Sequence, residues 1–311
     1  RLDSNNLDGT IPDSIFSLTN LANLNLHANK LSGSIATEIG SLWKLTALDL
    51  AHNSLTGTIP DSIGDLTNLC RLYVWSTNLT GPIPTTIGNL QSLTSLYLVY
   101  NKLSGTIPDS ISNLNSLSAL WLLGNKLTGS IPETLTSLLL MTNFNLGYNS
   151  LTGTIPDSIG NLTNLVYLYL HGNNLSGSIP ATFGNFPNLL DLRLDSNNLD
   201  GIIPDSIFNL TILANLNLHS NFLSGSIATA IGNLRKLTAL DLAHNSLTGT
   251  IPDSIGDLTN LCRFYVWKTN LTGPIPTTIG NLQSLTSLYL VYNKLSGTIP
   301  DSISNLKGLS A

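Results

Sequence analysis

Residues 45–68 read LTALDLAHNSLTGTIPDSIGDLTN, and this 24-residue stretch contains every signal that decides the fold. It fits the pattern L-x-x-L-x-L-x-x-N-x-L-x-G-x-I-P-x-x-I-G-x-L-x-x, which recurs along the chain without an insertion or deletion. Glycine returns every 24 residues from Gly9 to Gly297, and isoleucine follows two residues later, from Ile11 to Ile299. A fixed period of this length predicts a solenoid of stacked coils rather than separate globular domains.

The first half of the unit combines a strand signal with a turn signal. The L-x-L segment alternates with period two, which is typical of a short strand with one buried face. The asparagine that follows has a side-chain amide able to bond backbone groups inside the bend, so its recurrence predicts an asparagine ladder. Only Thr77 and Thr269 interrupt this ladder. Glycine permits the unusual dihedral angles of the next turn, and the proline of I-P ends the extended stretch.

The P-D-S-I-G segment predicts a short helical turn in each unit. An aspartate opens this segment in every second unit, at Asp13, Asp61, Asp109, Asp157, Asp205, Asp253 and Asp301. These carboxylates would lie about 10 Å apart if adjacent coils are ~4.8 Å apart, which is too far to share a cation. We therefore interpret them as caps of the helical turns.

The unit resembles the plant-type leucine-rich repeat of receptor-kinase ectodomains and of the polygalacturonase-inhibiting proteins of plant cell walls. The resemblance covers the whole chain, and only Ala36 and Ala228 replace the proline of the turn. It implies a leucine-rich repeat solenoid, an α/β repeat of 24-residue coils, with a parallel sheet on the concave face and 3₁₀ turns on the convex face. It also implies a short second strand at L-x-G, and secretion, with proteins or small ligands bound on the concave face.

We expect residues 1–311 to form a single array of about thirteen coils. Proteins of this type usually end in capping segments with paired cysteines, whereas this chain starts and stops within the repeat frame. Its two cysteines, Cys70 and Cys262, are 192 residues apart in equivalent contexts. Because caps normally shield the end coils of a solenoid, we expect an uncapped array and head-to-tail self-association.

A longer period is superimposed on the first. Residues 1–119 align with residues 193–311 without gaps and differ at twelve positions. The repeated block is therefore 192 residues, or eight coils. Folding does not require this second period, because any sequence that fits the 24-residue frame would stack. It indicates either a recently multiplied block or selection for a surface that repeats.

The composition excludes several classes of function. Only 10% of the residues are charged and the formal net charge is −5, so no basic patch is present to bind nucleic acid. No apolar run approaches the ~18 residues of a membrane helix. His171, Asp195 and His219 share one column of the repeat, but no third ligand or nucleophile accompanies them. We expect no enzymatic activity, no metal and no cofactor.

The aromatic residues are segregated to one face. Core aromatics would occupy leucine columns, as Phe144 and Phe264 do, but every tyrosine falls on or beside the outward strand columns. Exposed Tyr and Trp provide rigid, amphipathic contact area, which predicts a concave surface that binds a protein or a glycan. Cross-strand packing is the alternative explanation. The candidate binding residues are Tyr73, Trp75, Tyr97, Tyr100, Trp121, Tyr148, Tyr167, Tyr169, Tyr265, Trp267, Tyr289 and Tyr292.

Two further patterns concern the outer surface. N-x-S/T sequons predict N-glycosylation of a secreted chain at Asn78, Asn161, Asn174, Asn209 and Asn270. Hydroxyl residues also flank the glycine before I-P in rows that resemble the ordered arrays of ice-binding proteins. Examples are Thr56 and Thr58, Thr152 and Thr154, Thr248 and Thr250, and Ser176 and Ser178. Asp8, Asp200, Pro82 and Pro274 break these rows.

These observations favour a non-catalytic extracellular scaffold, as a glycosylated segment of a longer repeat array or fibre. A ligand-binding receptor ectodomain or a cell-wall enzyme inhibitor is the main alternative, and an ice-binding protein is the third hypothesis.

Overall fold

The computed structural model describes residues 1–310, which divide into two compact units, one from Arg1 to Thr152 and the other beginning at Gly153. Each unit is a stack of 24-residue coils with strands on one side and 3₁₀ turns on the other. The predicted leucine-rich repeat solenoid is therefore confirmed. A single array over the whole chain stays a prediction.

One parallel sheet forms the main sheet of each unit, and each coil adds one three-residue strand to it. Paired residues are 24 apart, as in Leu24↔Leu48 and Leu216↔Leu240. The strands of the first unit are Asn23–Asn25, Ala47–Asp49, Arg71–Tyr73, Ser95–Tyr97, Ala119–Trp121 and Asn143–Asn145. Those of the second unit are Tyr167–Tyr169, Asp191–Arg193, Asn215–Asn217, Ala239–Asp241, Arg263–Tyr265 and Ser287–Tyr289.

The second strand of the coil forms less regularly than the resemblance implies. It is present at Thr80–Gly81, Lys102–Thr106, Lys126–Thr128, Ser176–Ser178, Asn198–Asp200, Thr272–Gly273 and Lys294–Leu295. Other described coils have a single bridge there, such as Thr10↔Ser32 and Ser34↔Thr56. This stretch is two to five residues long where it forms, and a glycine lies within it or follows it, so few ladder bonds hold it.

A five-residue 3₁₀ turn closes each coil. The turns are Asp13–Ser17, Thr37–Ser41, Asp61–Asp65, Thr85–Asn89, Asp109–Asn113, Glu133–Ser137, Asp157–Asn161, Ala181–Asn185, Asp205–Asn209, Thr229–Asn233, Asp253–Asp257, Thr277–Asn281 and Asp301–Asn305.

The prediction that aspartates cap these turns is wrong. The cap position belongs to the preceding residue, Pro12 in the first turn, and no turn has a side-chain capping hydrogen bond. Asp13 is the first residue inside its turn, and the backbone N–H of Ile15 bonds the carbonyl of Pro12 at 3.0 Å instead. Proline holds φ near the value that the turn needs, so the turn starts without a side-chain acceptor. The carboxylate still lies at the positive end of the turn.

The leucine columns form the core, as predicted. Leu48, Leu50 and Leu55 are all completely buried. Each fully buried side chain of this size is worth about 1.5–3 kcal/mol relative to exposure, so the repeated columns supply most of the folding free energy. Phe144 and Phe264 replace leucine in the middle strand column and are buried with it.

The asparagine ladder is also present and links coil to coil. Nδ2 of Asn53 donates to the carbonyls of Leu26, Leu50 and Ala51 at 3.0–3.1 Å. Oδ1 of Asn53 accepts from the backbone N–H of Leu31 at 3.0 Å. Leu26 and Leu31 belong to the preceding coil, so one buried amide satisfies backbone groups of two coils.

Candidate functional site

The outward side of each main sheet, called the strand face below, is built from three residues of each coil. The first and third residues of a strand point outward, while the middle leucine points into the core. The second residue after the strand is also outward, as Trp75 is after Arg71–Tyr73. This surface corresponds to the concave face implied by the resemblance.

Aromatic rings of the first unit lie in contact along one column of the strand face. The ring centroids of Tyr73 and Tyr97 are 4.8 Å apart, and those of Tyr97 and Trp121 are 5.6 Å apart. Register pairing places these residues opposite one another on adjacent strands. Burial, and secondarily the neighbouring Tyr73, raises the pKa of the Tyr97 hydroxyl. The rings therefore form a half-buried strip that remains accessible from one side.

The same column carries a shorter strip in the second unit, where Tyr265 and Tyr289 stack at 4.7 Å. Trp75 and Trp267 lie two residues after Tyr73 and Tyr265 and pack against histidines. His52 contacts Trp75 at 4.1 Å, and His244 contacts Trp267 at 4.0 Å.

Tyr100, Tyr148 and Tyr292 lie at the bend after the strand and are the most exposed of the predicted binding residues, at 55%, 58% and 74%. Each has a left-handed backbone with φ between 47° and 57°. This conformation disfavours bulky residues by roughly 1–2 kcal/mol, and glycine occupies the equivalent bend position at Gly124 and Gly172. The same left-handed conformation occurs at the equivalent bend of other coils, as at Ser76 and Lys268, so it belongs to the coil geometry and not to the tyrosines alone.

A polar network that sequence reasoning missed lies beside Tyr167 and Tyr169 in the second unit. Asp191 accepts hydrogen bonds from Tyr169 Oη at 3.0 Å, Asn215 Nδ2 at 2.8 Å and Arg193 Nη2 at 3.1 Å. The hydrogen bond to Asp191 raises the pKa of the Arg193 guanidinium, and burial together with Asp191 raises the pKa of Tyr169. Charged residues at outward strand positions were the available signal.

In the histidine column, His219 and Asp195 lie within ion-pairing distance. His219 Nε2 lies 3.4 Å from Asp195 Oδ2, and this hydrogen bond raises the pKa of His219. Burial lowers the pKa of His171 on the neighbouring coil. Within residues 1–310, no group of three or more His, Cys, Asp or Glu is placed to hold a metal ion.

Each unit has a shallow depression on its strand face, and the two depressions are related by the 192-residue period. The first, of about 230 Å³, is lined by Arg1, Asn23, Asn25, Ala47, Leu48, Asp49, Arg71 and Tyr73. The second, of about 260 Å³, is lined by Arg193, Asn215, Asn217, Ala239, Leu240, Asp241, Arg263 and Tyr265. Every member of the second set lies 192 residues after its counterpart, and all eight residue types match.

The sequon asparagines lie away from the strand face. Asn161 and Asn209 are exposed and end 3₁₀ turns. Asn78, Asn174 and Asn270 precede the second strand of their coils, where Asn174 is exposed and the other two are half-buried. Glycosylation at these five positions stays a prediction.

The hydroxyl rows form a lateral surface in which the two rows differ. The hydroxyl of a residue before the glycine donates a hydrogen bond to a carbonyl of the preceding coil, as Thr56 Oγ1 does to the carbonyl of Gly33 at 3.3 Å. Residues after the glycine pack a methyl group on the next coil: a Cβ on Gly81 would lie 2.7 Å from Cγ2 of Thr58. Among residues 1–310, the hydroxyl of Thr58 has no hydrogen-bond partner, which leaves it accessible.

The helices of the described chain are all five-residue turns, and none of them could cross a membrane.

Comparison with known proteins gives consistent matches. A family model described as a leucine-rich repeat region matches residues 2–146, and a leucine-rich repeat model matches residues 141–162, 164–186, 188–210, 236–258 and 284–306. No curated protein sequence matches the chain.

Solved structures match over almost the full chain. The plant peptide hormone receptor RGFR1 in complex with RGF2 is 39% identical with a TM-score of 0.97, and the match covers 99% of this chain and 50% of that one. The ectodomain of the membrane receptor kinase GASSHO1/SCHENGEN3 from Arabidopsis thaliana, in complex with CASPARIAN STRIP INTEGRITY FACTOR 2, is 36% identical with a TM-score of 0.85, covering 98% and 39%. The chain thus spans half or less of these receptors. A plant ice-binding protein is 32% identical with a TM-score of 0.63, covering 71% of both chains.

Proposed function

This chain belongs to the leucine-rich repeat family, in its plant extracellular type, and we propose that it is a non-catalytic ectodomain that binds a peptide ligand on its strand face. RGFR1 is a peptide hormone receptor. Its structure and that of the GASSHO1/SCHENGEN3 ectodomain were both solved in complex with a partner. These comparisons favour the ligand-binding alternative over the fibre interpretation. Glycan binding and head-to-tail association stay predictions.

The row of contacting rings at Tyr73, Tyr97 and Trp121 is the observation that carries the proposal. An extended peptide can lay its side chains against such a strip at little entropic cost, because aromatic side chains have few rotatable bonds. The strained, exposed tyrosines at the bends border the same surface. Cross-strand packing is the alternative explanation of the ring contacts, and the exposed tyrosines at the bends add accessible aromatic area beside them.

We also propose an extracellular location. The receptor ectodomains to which the chain is similar support it, and so does the placement of the sequons away from the strand face. Amidase treatment of native material should lower its mass if Asn174 and its equivalents carry glycans. An unchanged mass would remove the glycosylation prediction.

Selection of short random peptides on the full chain tests the ligand-binding proposal. Peptides that bind should lose about tenfold or more in affinity when Trp121 is changed to Ala, because large aromatic anchors dominate such surfaces. Trp43→Ala is the matched control: Trp43 is an exposed tryptophan after the 3₁₀ turn Thr37–Ser41, away from the strand face. Selected peptides that respond to neither substitution, or equally to both, would count against the strand face as the binding surface.

Ice binding is a second candidate, supported by the similarity to a plant ice-binding protein and by the accessible hydroxyls of the lateral surface. Inhibition of ice recrystallisation by the full chain is the measurement. Thr58→Lys together with Thr154→Lys should remove it, whereas Thr67→Lys, at an exposed position next to a 3₁₀ turn, should not. A chain without such inhibition would leave the peptide-binding proposal unaffected.

A further inference from the structure

The two depressions of the strand face have identical lining residues in the two copies of the repeated block. The two copies of the block differ at twelve positions, yet none of the differences falls on the eight lining residues. One difference, Leu72 against Phe264, lies between two lining residues, but its side chain is buried in the core. Two border the face at bends, where Ala28 and Ser76 are replaced.

The other nine differences lie on the turns, the lateral surface and the segments that join them. They are the pairs Thr10 and Ile202, Ser17 and Asn209, Asn20 and Ile212, Lys30 and Phe222, Glu38 and Ala230, Ser41 and Asn233, Trp43 and Arg235, Asn115 and Lys307, and Ser116 and Gly308. These changes alter charge, size and polarity freely. The variable positions therefore lie outside the two depressions, which have the same lining in both copies.

An unpaired cation lies in each depression. Arg71 and Arg263 are exposed, and among residues 1–310 neither guanidinium makes an ion pair or a hydrogen bond. A guanidinium presents its donors in a planar fork that fits a carboxylate through two parallel hydrogen bonds. The cation and the adjoining ring of Tyr73 or Tyr265 thus face the same space.

The remaining polar groups are fixed in orientation by short backbone contacts. Oδ1 of Asn25 and Asn217 accepts from a backbone N–H two residues later, at 3.0 and 3.2 Å. The amide nitrogen of each is consequently turned away and can donate to a carbonyl. Oδ1 of Asp49 and Asp241 accepts in the same way, at 3.1 and 3.0 Å. The second carboxylate oxygen can therefore accept from a peptide N–H.

We propose that the two depressions are equivalent subsites for an acidic peptide segment, so that one chain binds two copies of its ligand. A ligand carboxylate pairs with Arg71 or Arg263, while the peptide backbone bonds the neighbouring asparagine and aspartate. This inference rests on the proposed peptide-binding function and adds the charge of the ligand and the number of sites.

Calorimetric titration of the full chain tests the stoichiometry. The probe is a short peptide selected on the chain from a library with one fixed glutamate and random flanking residues. Wild-type chain should bind two equivalents. Arg71→Glu or Arg263→Glu should each leave one, and the double variant none, since loss of a charged hydrogen-bond partner weakens binding by about tenfold to hundredfold.

The matched control is Arg235→Glu, the same charge reversal at an exposed arginine next to a 3₁₀ turn, which should retain two equivalents. Both depression arginines are exposed and unpaired, so their substitution leaves folding intact, as circular dichroism would verify. One equivalent in the wild type, or binding unaffected by both reversals, would overturn the two-subsite inference while a Trp121-dependent peptide still upheld the proposed function. A chain that selects no strand-face peptide would overturn both.

Discussion

The first and second depressions have the same lining and, within the described part of the chain, keep Arg71 and Arg263 unpaired, but the arginine at the other edge of each has a different partner. Arg1 pairs with Asp3, two residues along its own strand region, at 3.2 Å. Arg193 occupies the equivalent position and has the equivalent partner, Asp195, but pairs with Asp191 at 3.1 Å instead. Asp191 lies two residues before the second copy begins, so the coil ahead of the block supplies it.

The pairing in the second unit extends to the next coil. With Arg193 held elsewhere, Asp195 approaches His219, and the pKa of that histidine rises. In the first unit the corresponding His27 lies 3.7 Å from Asp49, on the other side. In the second unit, Asp191 thus holds Arg193 while Asp195 pairs with His219 on the next coil.

The largest expected effect tests whether the core beneath the two depressions is equally intolerant of a charge. Leu48→Asp and Leu240→Asp each place a carboxylate where the side chain is completely buried, and each should cost more than about 3 kcal/mol of unfolding free energy. Leu→Met at the same positions should cost less than about 1.5 kcal/mol. Urea denaturation measures both. A clear difference between the two aspartate variants would show that the copies are not equivalent in the core.

The asparagine ladder should also respond equally in both copies. Asn53 and Asn245 make the same four hydrogen bonds, with lengths between 3.0 and 3.2 Å. Alanine at either position leaves buried backbone groups without hydrogen-bond partners, so each variant should lose roughly 2–3 kcal/mol of unfolding free energy. Ser54→Ala, at an exposed position, is the control for urea denaturation. A loss below about 1 kcal/mol would mean that water replaces the amide.

Asp195→Asn tests the pairing of Asp195 with His219 in the second unit. The carboxylate stabilises the charged form of His219, so its removal should lower the pKa of that histidine, as measured by NMR titration. A raised pKa in the folded state adds stability below about pH 6.5, and this stability is lost as pH rises through the raised value. The variant should therefore be less stable than wild type in acid, by about 1 kcal/mol or less, with the difference shrinking toward pH 8.

Asp191→Asn provides the companion experiment. It removes the present partner of Arg193 and leaves that guanidinium free to pair with Asp195, which should thereby also lower the pKa of His219. A His219 pKa that responds to neither substitution would contradict the pairing of Asp195 with His219.

The smallest effect concerns the bends, where the copies carry Ser76 and Lys268 at φ of 50° and 53°. Glycine adopts this conformation without strain, so Ser76→Gly and Lys268→Gly should each raise the unfolding free energy by about 0.5–1 kcal/mol. Thermal denaturation would detect the change. Destabilisation by either glycine would show that the side chain contributes more packing than its strain removes.

The fold was predictable from the sequence because its signals are local and repeated. The buried L-x-L columns, the ladder of which Asn53 is one member and the interruption at Thr77 all follow from one 24-residue unit. The outward aromatic columns were predictable for the same reason, since strand alternation fixes which side chains leave the core.

The missed features depend on choices between neighbouring coils. Tyr169, Asp191 and Arg193 find one another through side-chain rotamers, and the sequence offered Arg193 two carboxylates at equal spacing. The left-handed bends depend on backbone geometry that the non-glycine residues there conceal. The capping prediction failed at Asp13 because proline takes the cap position and presets the turn.

The asparagine ladder has a consequence for how such a chain can change its length. Because Asn53 and Asn245 join their coils to the coil before through identical bonds, the junctions at these two places are interchangeable. Genetic exchange in whole multiples of 192 codons would join coils that already fit each other, whereas exchange out of the 24-residue frame would leave buried amides without partners at the join. Copy number can then rise or fall without repair elsewhere, and a ligand-contacting patch can be multiplied together with its supporting core in one event.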